Sequence, residues 1–360
     1  LDLSLSPRIS EQDFCTWTRR VLPRPGDVVF SYETRLGQAA LIPPGLRCCL
    51  GRRMGLLRPD SERIDAHYLL YAFLAPQFQA TIRARTIRGS TVDRIQLSEL
   101  ARFPITIHRE RAEQQRIAAV LGAVDDKIAL DRRIAVKLDE MAQTLFQTWF
   151  IDFHGHDDWV KDTPGSIPRG WTRAELGTLL ELRYGKALPA TQRCPGPVPV
   201  YGSAGIVGRH DAALVPGPGV IVGRKGLPGT VYWEADAFFP IDTTFYVHPT
   251  RGPEWLPWLY HKLRSLDIAR LGAGSTVPGV NRHTIYAQLC AVPPYELVER
   301  FARRIQVWRN RVRLCHSEAA TLTETRRALL TALMSGDVRV PDGRTVQNIE
   351  QRNLAESSNR

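Results

Sequence analysis

Apolar positions along residues 113–150 recur alternately four and three residues apart, the period of a helix with one buried seam. The series is Ile117, Leu121, Val124, Ile128, Asp131, Ala135, Leu138, Ala142, Leu145 and Trp149, with Asp131 its one charged member. No Gly-Pro break, cysteine or histidine interrupts the stretch. A second series runs Phe301, Ile305, Trp308, Val312, Cys315, Ala319, Leu322, Arg326, Leu329 and Leu333, a constant 184 residues behind the first. An apolar seam needs a partner. The two rods, each roughly 55 Å long at 1.5 Å per residue, are therefore expected to pair as an antiparallel coiled coil.

The offset extends upstream. "GSTVDRIQLSEL" from Gly89 matches "GSTVPGVNRHTI" from Gly274, and "PGDVVFS" from Pro25 matches "PGVIVGR" from Pro218. Between these anchors each copy has an aromatic and leucine-rich helical stretch, "HYLLYAFL" from His67 and "WLPWLYHKL" from Trp255. The offset drifts from 193 through 185 to 184, as small loop insertions in a duplicated module would produce. The second module has short β-branched and aromatic runs between Gly and Pro residues ("VPVYGSAGIVGRHD", "GVIVGRKG", "GTVYWE", "DTTFYVHP") and its helix only at the end. Strands first and helix later predict an α+β fold rather than a doubly wound sheet. The expected order is a globular domain at 1–110, a spacer helix at 111–152, a linker at 153–166, a second globular domain at 167–296, a spacer helix at 297–336 and a flexible tail at 337–360.

Composition narrows the function. The 48 Lys and Arg against 37 Asp and Glu give a net charge of +11 in 360 residues, which favours a polyanionic partner. No apolar run approaches the roughly 18 residues that a membrane span needs, and no leader pattern opens the chain; the expected location is the cytoplasm, with no membrane contact. The six cysteines, Cys15, Cys48, Cys49, Cys194, Cys290 and Cys315, form no C-x-x-C pair and have no zinc-like spacing to histidine, so free thiols and no metal are expected. Catalytic motifs fail one by one. "AVPPYEL" at 291–297 echoes the Pro-Pro-aromatic loop of amino-methyltransferases, but Val292 replaces the side chain that would bind the target amine, and prolines are natural helix initiators. "GSAGIVG" from Gly202 has the wrong glycine spacing for a dinucleotide loop, and "RYGKAL" from Arg183 lacks the glycine and Ser/Thr of a P-loop. "RPDSER" at 58 is followed by no suitably spaced acidic-x-Lys pattern. No catalytic residues are expected.

A twofold repeat with a rigid spacer suits duplex DNA, whose half-sites are read at a separation set by protein geometry. Phosphate clamps and base readers are drawn from Lys, Arg, Asn, Gln and small-residue loops. In the second module these are Lys186, Tyr201, Ser203, Arg209, Arg224, Lys225, Thr276, Asn281, Arg282 and His283; in the first, Arg35, Arg88 and Thr91. "GRKG" and "GSTVPGVNRH" stand out because glycine-flanked polar loops allow close backbone approach. Arg300, Arg303, Arg304, Arg309, Arg311 and Arg313, at the start of the second rod, read as a solvated or subunit-docking face.

The stretch "AEQQRIAAVLGAVDDKIALDRRIAVKLDEMAQTLFQTWFIDF" closely resembles the central spacer of the specificity subunits of type I restriction-modification enzymes. "RALLTALMSGDVRVP" resembles the end of their second spacer, and "IPRGWTRAELG" at 167–177 the opening of their second target recognition domain. The resemblance covers essentially the whole chain. It implies two target recognition domains reading the halves of a bipartite DNA target, and helices that space them and dock methyltransferase (M) subunits and, through the complex, restriction (R) subunits. S-adenosylmethionine, Mg2+ and ATP are then expected in the partners and no cofactor in this chain. Pro25 has 24 residues before it, against about 50 from Ile167 to Pro218, so the first recognition domain is expected to lack its N-terminal portion. Two alternatives stand beside this reading: the recognition region of a fused DNA methyltransferase, and a structural coiled-coil scaffold with basic lobes.

Overall fold

The computed structural model describes residues 3, 6–89, 92–162, 165–271 and 279–342. The chain divides into two compact units, Leu1–Asp131 with Glu318–Arg360, and Arg132–Ser317.

In the first unit α1 (Glu11–Trp17) precedes a three-stranded antiparallel sheet of β1 (Val28–Ser31), β2 (Ala39–Leu41) and β3 (Met54–Leu57), in the order β2-β1-β3. The central strand buries Val28, Val29 and Phe30 in succession. Helices α2 (Ala66–Leu74), α3 (Pro76–Ala84) and α4 (Leu97–Leu100) follow. Asp65 caps α2 by accepting from the amides of His67 and Tyr68 at 2.9 and 3.0 Å. Phe30, Phe73, Phe78, Ile82, Ile95 and Phe103 make one core cluster. A second joins Tyr68, Tyr71 and Ala72 to Ile117, Ala118 and Leu121 of α5 (Arg111–Phe150) and to Leu330, Leu333 and Met334 of α9 (Tyr295–Ser335).

The second unit contains the strands β4 (Trp159–Asp162), β5 (Gly165–Pro168), β6 (Thr172–Glu175), β7 (Leu180–Tyr184), β8 (Val198–Gly202), β9 (Gly205–His210), β10 (Gly219–Gly223), β11 (Val231–Glu234), β12 (Phe239–Pro240) and β13 (Thr244–Pro249). Helices α6 (Leu256–Ser265), α7 (Ile268–Leu271) and α8 (Arg282–Tyr286) and strand β14 (Leu289–Val292) lead into α9. The main sheet has the order β11-β10-β13-β7, a second β12-β8-β9, and β6 pairs with β14. Two strands, β4 and the start of β5, occupy the stretch expected as a linker. The core gathers Phe146 and Phe150 of α5, Trp258 and Leu259 of α6, and Phe301 and Ile305 of α9 around the β10 and β13 side chains Val220, Val222 and Phe245. Pro293 and Pro294 sit between β14 and α9, the helix-initiating role their sequence position implies.

The two long helices bury the predicted seam. Ile117, Leu121, Ile128, Asp131, Ala135 and Ala142 of α5 are buried, as are Phe301, Ile305, Cys315, Ala319 and Leu333 of α9; Val124, Leu138, Leu145, Trp149, Trp308, Val312, Leu322 and Leu329 are half-buried. Near the end of α5 the deepest positions are Phe146 and Phe150, one residue beyond Leu145 and Trp149. An α-helix of 3.6 residues per turn drifts about 20° per heptad against a 3.5 repeat, which accounts for the displacement. Both charged seam members are paired: Asp131 accepts from Lys127 at 2.7 Å, and Lys127 reaches Glu318 at 2.8 Å; Arg326 bonds Asp125 at 2.5 Å, where Tyr71 also donates at 2.9 Å.

The sequence-matched segments occupy like positions. Each "PG" segment forms an inner strand of its sheet, β1 or β10, and each aromatic stretch a helix, α2 or α6. The residue just past each strand takes part in a similar backbone bond, one residue out of register with the sequence match: the Tyr32 carbonyl accepts from the Ile95 amide at 2.8 Å, and the Arg224 carbonyl from the Val280 amide at 3.0 Å.

Candidate nucleic-acid interface

The glycine-flanked loops picked out in the sequence meet in the second unit, and the residue they meet around is Tyr184. It ends β7, opposite Phe245 of β13, with half its surface exposed. Gly185 must follow, because a Cβ there would lie 2.2 Å from the Ile241 carbonyl oxygen. The chain then passes under residues 240 and 241, with the Lys186 amide bonded to the Pro240 carbonyl at 3.1 Å.

Arg224 leaves β10 just after Gly223, where any Cβ would meet Thr230 Oγ1 at 2.2 Å. Its guanidinium donates to the Asp242 carbonyl at 2.7 and 3.2 Å and lies 5.2 Å from the Tyr184 ring centre. Arg282, in the first turn of α8, lies 5.3 Å from the same ring. Asn281 caps α8 by accepting from the His283 amide at 3.0 Å, and Tyr286 fixes the helix to β7 by accepting from the Leu182 amide at 2.7 Å. A backbone bridge from Lys225 to Gly279 completes the junction. Two guanidiniums thus flank one exposed phenol ring, held by cation–π attraction. Lys186, Lys225, Asn281 and His283 are exposed beside it in the chain.

The other expected residues are placed differently. Tyr201 is a core residue, packed with Ile221 and Phe238; its hydroxyl donates to Glu234 at 2.8 Å, and burial followed by that carboxylate pushes its pKa well up. It has no free face for DNA. Ser203 is half-buried and its carbonyl accepts from Thr230 and Tyr232, while Arg209 is exposed and donates to the Pro197 carbonyl at 2.5 Å. In the first unit Arg35 and Arg88 are exposed. Thr91 and Thr276 lie outside the described residues.

Arg309 departs from the solvated face expected of its cluster. Its guanidinium sits 3.6 Å from the Trp233 ring centre and donates to His261 Nε2 at 3.3 Å. Burial lowers its pKa to about 10. Arg313 pairs with Asp236 at 2.9 Å and Arg300 stacks over Trp149 at 4.9 Å.

Residues 19–140 match the family model described as the type I restriction modification DNA specificity domain. The chain is similar to the MjaIX type I restriction enzyme specificity subunit of Methanocaldococcus jannaschii, 27% identical over 185 residues covering 50% of this chain and 41% of that protein. A specificity subunit of the same organism designated MjaX is 21% identical over 357 residues, covering 88% of this chain and 79% of that one. The chain is thus similar to type I specificity subunits, and its match spans less than half the length of MjaIX. The crystal structure of the type I restriction-modification S subunit from M. genitalium shares the fold, with a TM-score of 0.57, 17% identity, and coverage of 89% of this chain and 84% of that one. No described helix is long and apolar enough to cross a membrane.

Proposed function

We propose that this chain is the DNA-recognition subunit of a type I restriction-modification complex, reading a bipartite duplex target in the cytoplasm and docking M subunits and, through the complex, R subunits. It is not itself an enzyme, in keeping with relatives that are specificity subunits; S-adenosylmethionine, Mg2+ and ATP act in the partners. The observation that carries the reading is the convergence of "GRKG" and "NRH" on Tyr184. Arginines poised beside an exposed aromatic can contact phosphate or the acceptor edge of guanine. The inner-strand position of β1 and β10, and the similarly placed Tyr32–Ile95 and Arg224–Val280 hydrogen bonds just past them, support a duplicated reader. The shared burial of α5 and α9 supports their pairing as an antiparallel coiled coil that spaces the half-sites.

The test is methylome sequencing of cells carrying the M subunit with and without this chain. A methylated motif of two separated half-sites that depends on the chain is expected. Methylation unchanged by its removal overturns the proposal, as does methyl transfer by the pure chain without M.

A further inference from the structure

We propose that Cys194, His210 and Asp211 form a divalent transition-metal site of the zinc class in the second unit. The Cys194 thiol, one imidazole nitrogen of His210 and a carboxylate oxygen of Asp211 lie within 4.8 Å of one another. Thiolate, imidazole and carboxylate are the three donor types zinc accepts. At zinc–ligand distances of about 2.0–2.3 Å, tetrahedral ligands stand roughly 3.5 Å apart, so a small rotation of the exposed Cys194 and Asp211 side chains closes the set. A water fills the fourth position.

The backbone beneath these donors is held from several sides. Gly196 lies flush against the end of β9, where a Cβ would be 2.3 Å from Asp211 Cα and 2.4 Å from the His210 carbonyl oxygen. Arg193 donates to the Val207 carbonyl at 2.7 Å and to the Leu188 carbonyl at 3.3 Å, and Arg209 ties down Pro197. The Cys194 amide donates to His210 Nδ1 at 3.1 Å, and Asp211 Oδ1 lies 3.1 Å from the same nitrogen. Phe239 packs edge-on against the imidazole at 5.8 Å. Metal binding displaces the thiol proton to solvent, so affinity rises with pH. The ion would pin the 193–197 loop to the end of the β8–β9 hairpin.

The experiment titrates Zn2+ and Co2+ into the full, reduced chain, with a chromophoric chelator as competitor. One equivalent of zinc is expected to bind. The cobalt form is expected to show a thiolate-to-metal charge-transfer band that is lost in Cys194→Ser and kept in a Cys48→Ser, Cys49→Ser double variant. His210→Ala and Asp211→Asn are each expected to weaken zinc at least about tenfold. Zinc is also expected to protect Cys194 of the wild-type chain from alkylation, read by mass spectrometry without any variant. No stoichiometric binding, a charge-transfer band that survives Cys194→Ser, or an alkylation rate unchanged by zinc overturns the site.

Discussion

Replacing His261 by Gln tests the contact that fastens α6 to both long helices. His261 is fully buried on α6. Its Nδ1 lies 2.8 Å from Gln143 Oε1 on α5, and its Nε2 lies 3.3 Å from Arg309 Nη2 on α9. An arginine only donates, so Nε2 accepts and Nδ1 carries the single proton. Burial first, then Arg309 and Arg264, lowers the imidazole pKa from 6.5 to about 2. The sign follows directly. The folded form keeps His261 neutral while the unfolded chain protonates it below 6.5, so its contribution is complete above pH 6.5 and is lost as pH falls toward 2. At pH 5.0 the unfolded group is about 1.5 pH units below its pKa, which corresponds to about 2 kcal/mol of lost stability. Gln offers a donor and an acceptor but cannot titrate. Urea denaturation at pH 7.5 and 5.0 is expected to show the stability gap between wild type and His261→Gln narrowing by about 2 kcal/mol at the lower pH. A gap equal at both pH values refutes the assignment of a neutral, acceptor-bearing imidazole.

Other expectations follow from the same contacts. Arg224→Ala and Arg282→Ala are each expected to weaken target DNA binding by about 1–3 kcal/mol if they read bases, with relaxed specificity at one position; a phosphate contact instead lowers the salt slope by about 0.9 with specificity intact. Fluorescence anisotropy across a salt series measures both, and unchanged affinity and slope would remove Tyr184 and its arginines from the interface. Phe146→Ala is expected to destabilise the second unit by about 3–5 kcal/mol, read by denaturation, because Phe146 is fully buried among Trp258, His261 and Phe301. Inserting four residues after Ala129 adds about 6 Å and nearly preserves seam phase, so methylome mapping is expected to show a changed half-site spacing with the same bases. Altered bases at unchanged spacing would mean that the helices read DNA.

The long helices were legible because their signal is local: an apolar residue every three or four positions imposes a helix and names its buried face without reference to the rest of the chain. That periodicity identified Ile117 and Leu121, and Phe301 and Ile305, as core. It could not follow the drift that brings Phe146 and Phe150 inward, because that depends on how far the actual helix departs from a 3.5-residue repeat. Composition and loop chemistry singled out Arg224 and Arg282, but nothing local links Tyr184 to either; strand β7, the exit of β10 and the start of α8 become neighbours only through sheet order and the Tyr286–Leu182 hydrogen bond. Tyr201 shows the same limit in reverse. Its place in a glycine-rich stretch put it among the candidate DNA contacts, whereas packing against Ile221 and Phe238 and the bond to Glu234 made it core. Cys194 and His210 have no ligand spacing along the chain and approach only where a loop folds back on the end of β9. Periodicity and charge are properties of neighbours in sequence, and they determined the rods and the basic loops; convergence of distant side chains depends on chain crossings and burial, and only the tertiary structure decided it.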